Sequence, residues 1–205
     1  LIGDGQAVVE NINTDTRKTV SNSLFFALKG EHFDAHQYLE QAVEQGATAL
    51  VVQQANTEIA TPQLVVADTR LALGQLAKWL REKINPRTVA MTGSSGKTTV
   101  KEMTASILQQ TSGNPEAVLF TNGNFNNDIG VPKTLLRLKH EHEVAVVEMG
   151  ASHPGDIKTL VELVEPDLAL ITNVGMAHLQ GFGSFEGVVK TKGELYDLMR
   201  QSKRG

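Results

Sequence analysis

Apolar positions along the chain follow one rhythm up to about residue 85 and another after it. Leu24-Phe25-Phe26-Ala27-Leu28 is a short apolar run closed by Lys29-Gly30, which suits a buried strand and a turn. From Gln37 to Gln45, Leu39, Ala42 and Val43 recur at helical spacing, and Gly46 stands where a helix C-cap belongs. Ala49-Leu50-Val51-Val52 and Leu64-Val65-Val66 read as two further strands. Leu73, Leu76, Ala77, Leu80 and Ile84 then keep helical period between Arg70 and Ile84, and Asn85-Pro86 breaks it. The expected domain boundary lies there, with one domain over residues 1–85 and a second over 86–205.

Beyond the break, strand and helix alternate. Strands are expected at Thr88–Met91, Ala117–Phe120, Val144–Val147 and Leu168–Ile171. Helices are expected at Lys97–Gln110, Val131–Leu138, Asp156–Val164 and Phe185–Met199. Near-continuous β-branched strands in repeated βα units mean a parallel sheet covered on both faces. The expected fold class is therefore α/β, with a small α/β N-terminal domain followed by a parallel-sheet domain. Neither an internal repeat nor a low-complexity tract interrupts the pattern.

Composition narrows the function classes. The 205 residues are 40% hydrophobic and 20% charged, ordinary for a globular protein. A net charge of −4 gives no basic footprint for nucleic acid. With no cysteine there is neither a thiolate nucleophile nor a cysteine metal site. No run approaches the roughly 18 apolar residues of a membrane span, and the first residues do not resemble a signal peptide. A cytoplasmic monomer is the working expectation. The chain opens at Leu1-Ile2-Gly3-Asp4 and closes at Ser202-Lys203-Arg204-Gly205 just after a helical pattern, so it reads as part of a longer protein.

The sharpest motif is Thr92-Gly93-Ser94-Ser95-Gly96-Lys97-Thr98-Thr99, set between the first strand and first helix of the alternating region. There, glycines let successive amides converge on phosphate oxygens, and the helix N-terminus adds partial positive charge. Lys97 suits the terminal phosphates of ATP, and the Thr98 hydroxyl suits Mg²⁺. The bland alternative is a glycine-rich turn with an exposed lysine. Met91 occupies the first glycine position of the usual phosphate-loop pattern, which weakens a generic kinase or GTPase reading.

Ligands of a parallel sheet collect outside the carboxyl ends of its strands. Glu148 emerges there after Val144–Val147 and is a natural Mg²⁺ ligand, against the alternative of a solvated or capping acid. His178 follows the strand ending at Ile171; a lone histidine is more often structural than a ligand. His32, His36, His140, His142 and His153 lack that placement. Lys192 and Lys190 lie in the last helix, where a lysine ordinarily faces solvent. Thr121-Asn122-Gly123-Asn124-Phe125-Asn126-Asn127-Asp128-Ile129-Gly130-Val131-Pro132 is either plain turn and cap chemistry or a substrate-gripping loop.

Four blocks together resemble the Mur ligases, ATP-dependent amide-bond-forming enzymes of peptidoglycan assembly. They are Asp15-Thr16-Arg17 with Leu24 through His36, the phosphate loop, the Asn-rich loop, and Glu148 through Glu194. Asn126-Asn127-Asp128-Ile129-Gly130-Val131-Pro132 and Ala177-His178-Leu179-Gln180-Gly181-Phe182-Gly183-Ser184 are most similar to the branch that adds D-alanyl-D-alanine to UDP-N-acetylmuramoyl-tripeptide. The resemblance implies three domains, of which this chain would hold the UDP-precursor domain and an incomplete P-loop-type ATPase domain. A third domain with much of the amine site would be missing, and the isolated chain would form no product.

By the same resemblance Asp15, Thr16, Arg17, Lys29, Gly30 and His36 match the UDP-precursor site. Asn124 and Asn127 would face nucleotide and acyl substrate. His178 would hold a second Mg²⁺, and Lys192, preferred to Lys190, would be carried as a carbamate beside it. Asp15 and Arg17 also have a simpler use, pairing with each other. The implied chemistry is acyl-phosphate formation followed by amine attack, with Lys97 and Mg²⁺ neutralising charge and no nucleophilic side chain needed. A diaminopimelate- or lysine-adding ligase, a folylpolyglutamate synthase, and a P-loop nucleotide-binding protein without ligase activity stand as alternatives.

Overall fold

The computed structural model describes residues 1–30, 33–176 and 179–201. Residues Leu1–Leu73 form one compact unit and Gly74–Gly205 a second.

The first unit is a four-stranded parallel sheet in the order β1-β2-β3-β4, formed by β1 (Asn11–Asn13), β2 (Ser23–Phe26), β3 (Ala47–Val52) and β4 (Gln63–Val65). A 3-10 turn at Ala35–Tyr38 leads into α1 (Leu39–Glu44), which precedes β3. Phe25 and Ala27 from the apolar run, Leu39 and Ala42 from α1, and Leu50 and Val52 from β3 close the core. β1 escaped the sequence reading because Asn11-Ile12-Asn13 offers one apolar residue. It pairs on only one side, so the ladder rather than burial defines it.

The chain then enters α2 (Thr69–Ile84). Asp68 caps it, accepting the Arg70 and Leu71 amides at 2.7 and 3.0 Å. The units divide inside this helix, before the Asn85-Pro86 break where a boundary was expected. The cause is packing: Ala77, Leu80 and Ile84 join the core of the second unit. Asn85-Pro86 ends the helix without marking the change of core.

The second unit contains β5 (Arg87–Thr92), α3 (Lys97–Thr111), β6 (Val118–Phe120), α4 (Gly130–Leu135), β7 (Val144–Glu148), α5 (Asp156–Val164), β8 (Leu168–Ile171), α6 (Leu179–Phe182) and α7 (Phe185–Gln201). Its strands pair in parallel in the order β6-β7-β5-β8. α4 stops before the expected Leu138, because Arg137 and Leu138 turn their amides to residues three back and tighten the last turn.

Period-two alternation gives the sheet two apolar faces. Val89, Met91, Val144 and Val146 pack with Val100 and Leu108 of α3. Ala90, Ala145 and Val147 pack with Ile157, Leu160 and Val164 of α5, and with Val188 and Leu195 of α7. The helices after the adjacent strands β5 and β7 thus cover opposite faces, which opens a crevice between the carboxyl ends of those two strands. The phosphate loop and Glu148 stand at that crevice. Among the described residues no helix is long and apolar enough to cross a membrane.

Candidate functional site

The phosphate loop is built as its glycines require. Gly96, at φ 75°, forms the N-cap of α3, a left-handed position that a side chain would strain. Gly93 lies so close to the segment after β8 that a Cβ there would sit 1.9 Å from Thr172 Oγ1. That segment laces the loop. Asn173 O accepts the Ser94 amide at 3.0 Å, and Asn173 Oδ1 accepts the Ser95 amide at 3.1 Å. The Thr172 hydroxyl donates to Ser95 O at 2.7 Å, while Ser94 Oγ bonds both the carbonyl and the amide of Gly175 at 2.9 Å. Lys97 folds back over the loop, donating to Gly93 O at 2.9 Å. Thr98 is exposed on the first turn of α3.

Glu148 ends β7 beside Met91, the last-but-one residue of β5, and is buried. Its amide donates to the Thr121 hydroxyl at 3.0 Å, and Asn126 Nδ2 donates to its Oε1 at 2.8 Å. Oε2 is buried and has no hydrogen-bond partner among the described residues. An orphaned, buried carboxylate oxygen at the mouth of a phosphate loop has the chemistry of a hard-cation ligand. Among the described residues no group of three or more His, Asp or Glu gathers as a metal cage. Mg²⁺ needs no such cage, since it takes one or two protein ligands and completes its shell with phosphate and water.

Of the two lysines on α7, Lys190 is exposed and Lys192 is 2% exposed. Burial first, and then the charge of Lys97, push the Lys192 ammonium down to about 8. The structure therefore brings Lys192 within electrostatic reach of the phosphate loop and leaves Lys190 in solvent. Glu194, one turn from Lys190 on α7, caps the start of α5 by accepting the Gly155 and Lys158 amides at 3.0 and 2.9 Å. His178 lies outside the described residues.

In the Asn-rich loop Asn127 Oδ1 accepts the Gly130 amide at 2.8 Å and so caps the entry to α4. Asn124 is exposed. The residue of this loop that grips the site is Asn126.

The first unit carries a cleft of about 540 Å³ lined by Lys29, Asp34, His36, Leu39 and the run Gln53–Glu58 after β3. His36 spends both ring nitrogens: Nε2 accepts the Gln53 amide at 2.9 Å, so Nδ1 carries the proton given to Asp34 Oδ1 at 2.6 Å. The His36 backbone amide, followed by the ring, holds the Asp34 carboxyl below its usual range. Lys29 is mostly exposed, 3.5 Å from Asp34 Oδ2. Asp15, Thr16 and Arg17 do not line this cleft. Arg17 instead forms a two-pronged pair with Asp15, at 2.8 and 3.0 Å, which lowers the Asp15 carboxyl to about 2.

Comparison with known proteins decides the family. The Mur ligase middle domain matches residues 91–204, and the Mur ligase family, catalytic domain, matches residues 8–81. This chain belongs to the Mur ligase family. A UDP-N-acetylmuramoyl-tripeptide–D-alanyl-D-alanine ligase of Haemophilus influenzae is 73% identical over 96% of this chain and 43% of its own length. A crystal structure of MurF from Acinetobacter baumannii superposes with a TM-score of 0.87 at 46% identity, covering 92% of this chain and 41% of that one. The MurF ligase of Thermotoga maritima, solved in complex with ADP, gives a TM-score of 0.82 at 32% identity, over 94% and 44%. The chain spans less than half the length of these relatives.

Within this Mur ligase chain the structure gathers Gly93–Thr99 and Glu148 at one crevice, with Lys192 buried where it feels the charge of Lys97, and Lys29 with His36 at a cleft of the first unit. Asp15–Arg17 lie outside the lining of the second of these, and Asn124 and Lys190 are exposed. The sequence reading missed Asn126, Thr121, Thr172, Asn173 and Glu194, whose roles run through loop geometry. It also missed Gln53–Glu58, though a polar run at the carboxyl end of a parallel strand was signal enough.

Proposed function

We propose that this chain supplies the nucleotide site and the precursor-binding unit of a ligase that joins D-alanyl-D-alanine to UDP-N-acetylmuramoyl-tripeptide. The observation that carries the chemistry is the placement of the phosphate loop and the half-satisfied Glu148 at the ends of adjacent strands β5 and β7. The substrates come from the name of the relative 73% identical to the chain. ATP lies on the amides of Gly93–Thr99, its charge met by the α3 N-terminus and Lys97. Lys97 releases the Gly93 carbonyl and turns to the terminal phosphates.

Thr98 and Glu148 would hold Mg²⁺, and Glu148 Oε2, without a partner among the described residues, fits that use. The cation, when bound, withdraws charge from the γ-phosphate. The peptide carboxylate attacks the γ-phosphorus, ADP leaves, and the amine of D-alanyl-D-alanine displaces phosphate from the resulting acyl phosphate. The protein contributes position and charge, with no covalent step on a side chain.

Lys192, buried and with its proton loosened, is suited to take up CO₂ as a carbamate. That would turn an ammonium facing Lys97 into an anion able to share a second Mg²⁺ with His178. In unit one Lys29 is the cation left to face the diphosphate of the precursor, while His36 orders the wall. The units Leu1–Leu73 and Gly74–Gly205 then correspond to the precursor domain and an incomplete ATPase domain of a cytoplasmic enzyme, completed by a third domain.

The test is ATP-dependent phosphate release by the full-length protein carrying this sequence. Release should require both the UDP-linked tripeptide and D-alanyl-D-alanine, and should yield the pentapeptide. Phosphate release indifferent to either substrate would contradict the proposal.

A further inference from the structure

The second unit buries a lysine that the proposed chemistry does not use. Lys101 lies one turn beyond Lys97 on α3 and is 0% exposed. A buried ammonium is costly unless its donors are engaged. Its Nζ donates to the Thr121 carbonyl at 2.7 Å and pairs with the Glu102 carboxylate, and the Phe120 ring centre lies 5.7 Å away. Glu102 itself is half exposed, so the partner held entirely inside the protein is the Thr121 carbonyl.

Thr121 is where β6 hands over to the Asn-rich loop. Its amide donates to Val146 O at 3.0 Å, extending the ladder with β7. Its hydroxyl accepts the Glu148 amide at 3.0 Å. Farther along the same loop, Asn126 grips Glu148 Oε1. A continuous path of hydrogen bonds and rigid backbone thus runs from the phosphate-loop helix through Lys101 to Thr121, and from Thr121 to the carboxylate.

We propose that Lys101 is a positioning residue. It clamps the start of the Asn-rich loop to α3, and so sets the spacing between the phosphate loop and Glu148 across which a divalent cation is held. The inference rests on the reading of this crevice as an ATP·Mg²⁺ site. An apolar side chain of the same length would fill the space without the cost of desolvating a charge. Such a side chain could not pull on a carbonyl, and that pull fixes the loop relative to the helix. Groups that orient a metal ligand without touching the metal commonly alter metal affinity by about 10- to 100-fold.

The experiment uses the full-length ligase with Lys101→Met, which keeps the length of the side chain and removes the charge. Three quantities are measured: ADP affinity in EDTA, the Mg²⁺ concentration for half-maximal turnover, and kcat and KM with saturating substrates. The clamp predicts unchanged metal-free ADP affinity, a Mg²⁺ requirement raised about tenfold, and a fall in kcat with little change in KM for the peptide substrate. A folded Lys101→Met protein with the parent's Mg²⁺ requirement overturns the proposal, because a purely structural lysine would leave that quantity unmoved.

Should Lys101→Met fail to fold, Thr121→Val cuts the next link with a side chain of the same shape. It should raise the Mg²⁺ requirement several-fold, and no rise would overturn the clamp. Lys97→Ala run in parallel separates the two levels. If it binds ADP as the parent does, the nucleotide site itself is misassigned and the clamp falls with it. If only Lys101→Met behaves as the parent, the clamp alone is wrong.

Discussion

The two units place polar side chains at the carboxyl ends of parallel strands, yet they treat them in opposite ways. In the first unit nearly every such group is satisfied by its neighbours. Arg17 closes on Asp15, and His36 spends one nitrogen on Asp34 and the other on the Gln53 amide. In the second unit valences are left open: Glu148 Oε2 is buried without a partner among the described residues, and Lys192 is buried near another cation. Satisfied groups build a wall, and unsatisfied buried groups are retained where a ligand completes them. By this contrast the reactive chemistry belongs to the second unit, while the first contributes shape and Lys29, the cation that lines its cleft.

If that contrast is right, mutations in the second unit should dominate the kinetics. The largest effect is expected from Lys97→Ala, which removes the charge proposed to meet the terminal phosphates. Turnover of the full-length enzyme should fall by about 10²–10³-fold or more with the fold intact by circular dichroism. Wild-type turnover in this variant would erase the distinction between the units.

Lys192 comes next. Lys192→Ala should lose most turnover, by roughly 10- to 100-fold, and a short carboxylic acid should restore part of it if the missing group is an anion. The pH dependence follows from its lowered proton affinity. Its folded value of about 8 lies below the ordinary 10.5, so burying the charged form destabilises the fold below pH 8. That penalty fades as pH rises from about 8 to 10.5, where the unfolded chain also loses its proton. The neutral amine that reacts with CO₂ likewise grows as pH rises through about 8. Bicarbonate activation should therefore be stronger at pH 8.5 than at pH 7. An activity indifferent to bicarbonate, with an unmodified Lys192 by mass spectrometry, would make it a direct phosphate ligand instead.

The smallest effect is expected in the first unit. Arg17→Ala breaks an exposed pair, so it should barely move the midpoint of chemical denaturation and barely change KM for the UDP precursor. The Asp15 carboxyl, lowered to about 2, adds stability above its ordinary value near 3.8 that disappears as pH falls through about 2. Arg17→Ala should weaken that acid-range dependence, leaving the part due to the residue-17 amide. A large rise in KM would show that the pair opens to meet the substrate and that the first unit is more reactive than its resting bonds suggest.

What was legible in the sequence was whatever a local pattern encodes. The apolar runs of β2, β3, β5, β7 and β8, and the helical face of α2, all formed within a few residues of expectation. Lys97 and Glu148 could be singled out because a glycine loop and a strand end are local signals. Asn126 was not, because nothing local tells it from Asn124 or Asn127. Only the fold brings its amide to Glu148 and turns Asn127 into a helix cap. The burial of Lys192 and Lys101 was hidden for the same reason, since a lysine in a polar helix is ordinarily a solvated one and only packing shows otherwise.

The most direct measurement of the central claim is calorimetric ADP binding with Mg²⁺ and with EDTA, on the full-length protein and its Glu148→Gln variant. The parent should bind ADP more tightly with Mg²⁺, because Glu148 Oε2 then finds its partner in the cation. The variant keeps the shape and the Asn126 contact but loses the negative charge, so it should retain the EDTA affinity and lose the Mg²⁺ increment. A Glu148→Gln protein that keeps the full increment would show that the buried carboxylate holds no metal, and the contrast between the two units would lose its basis.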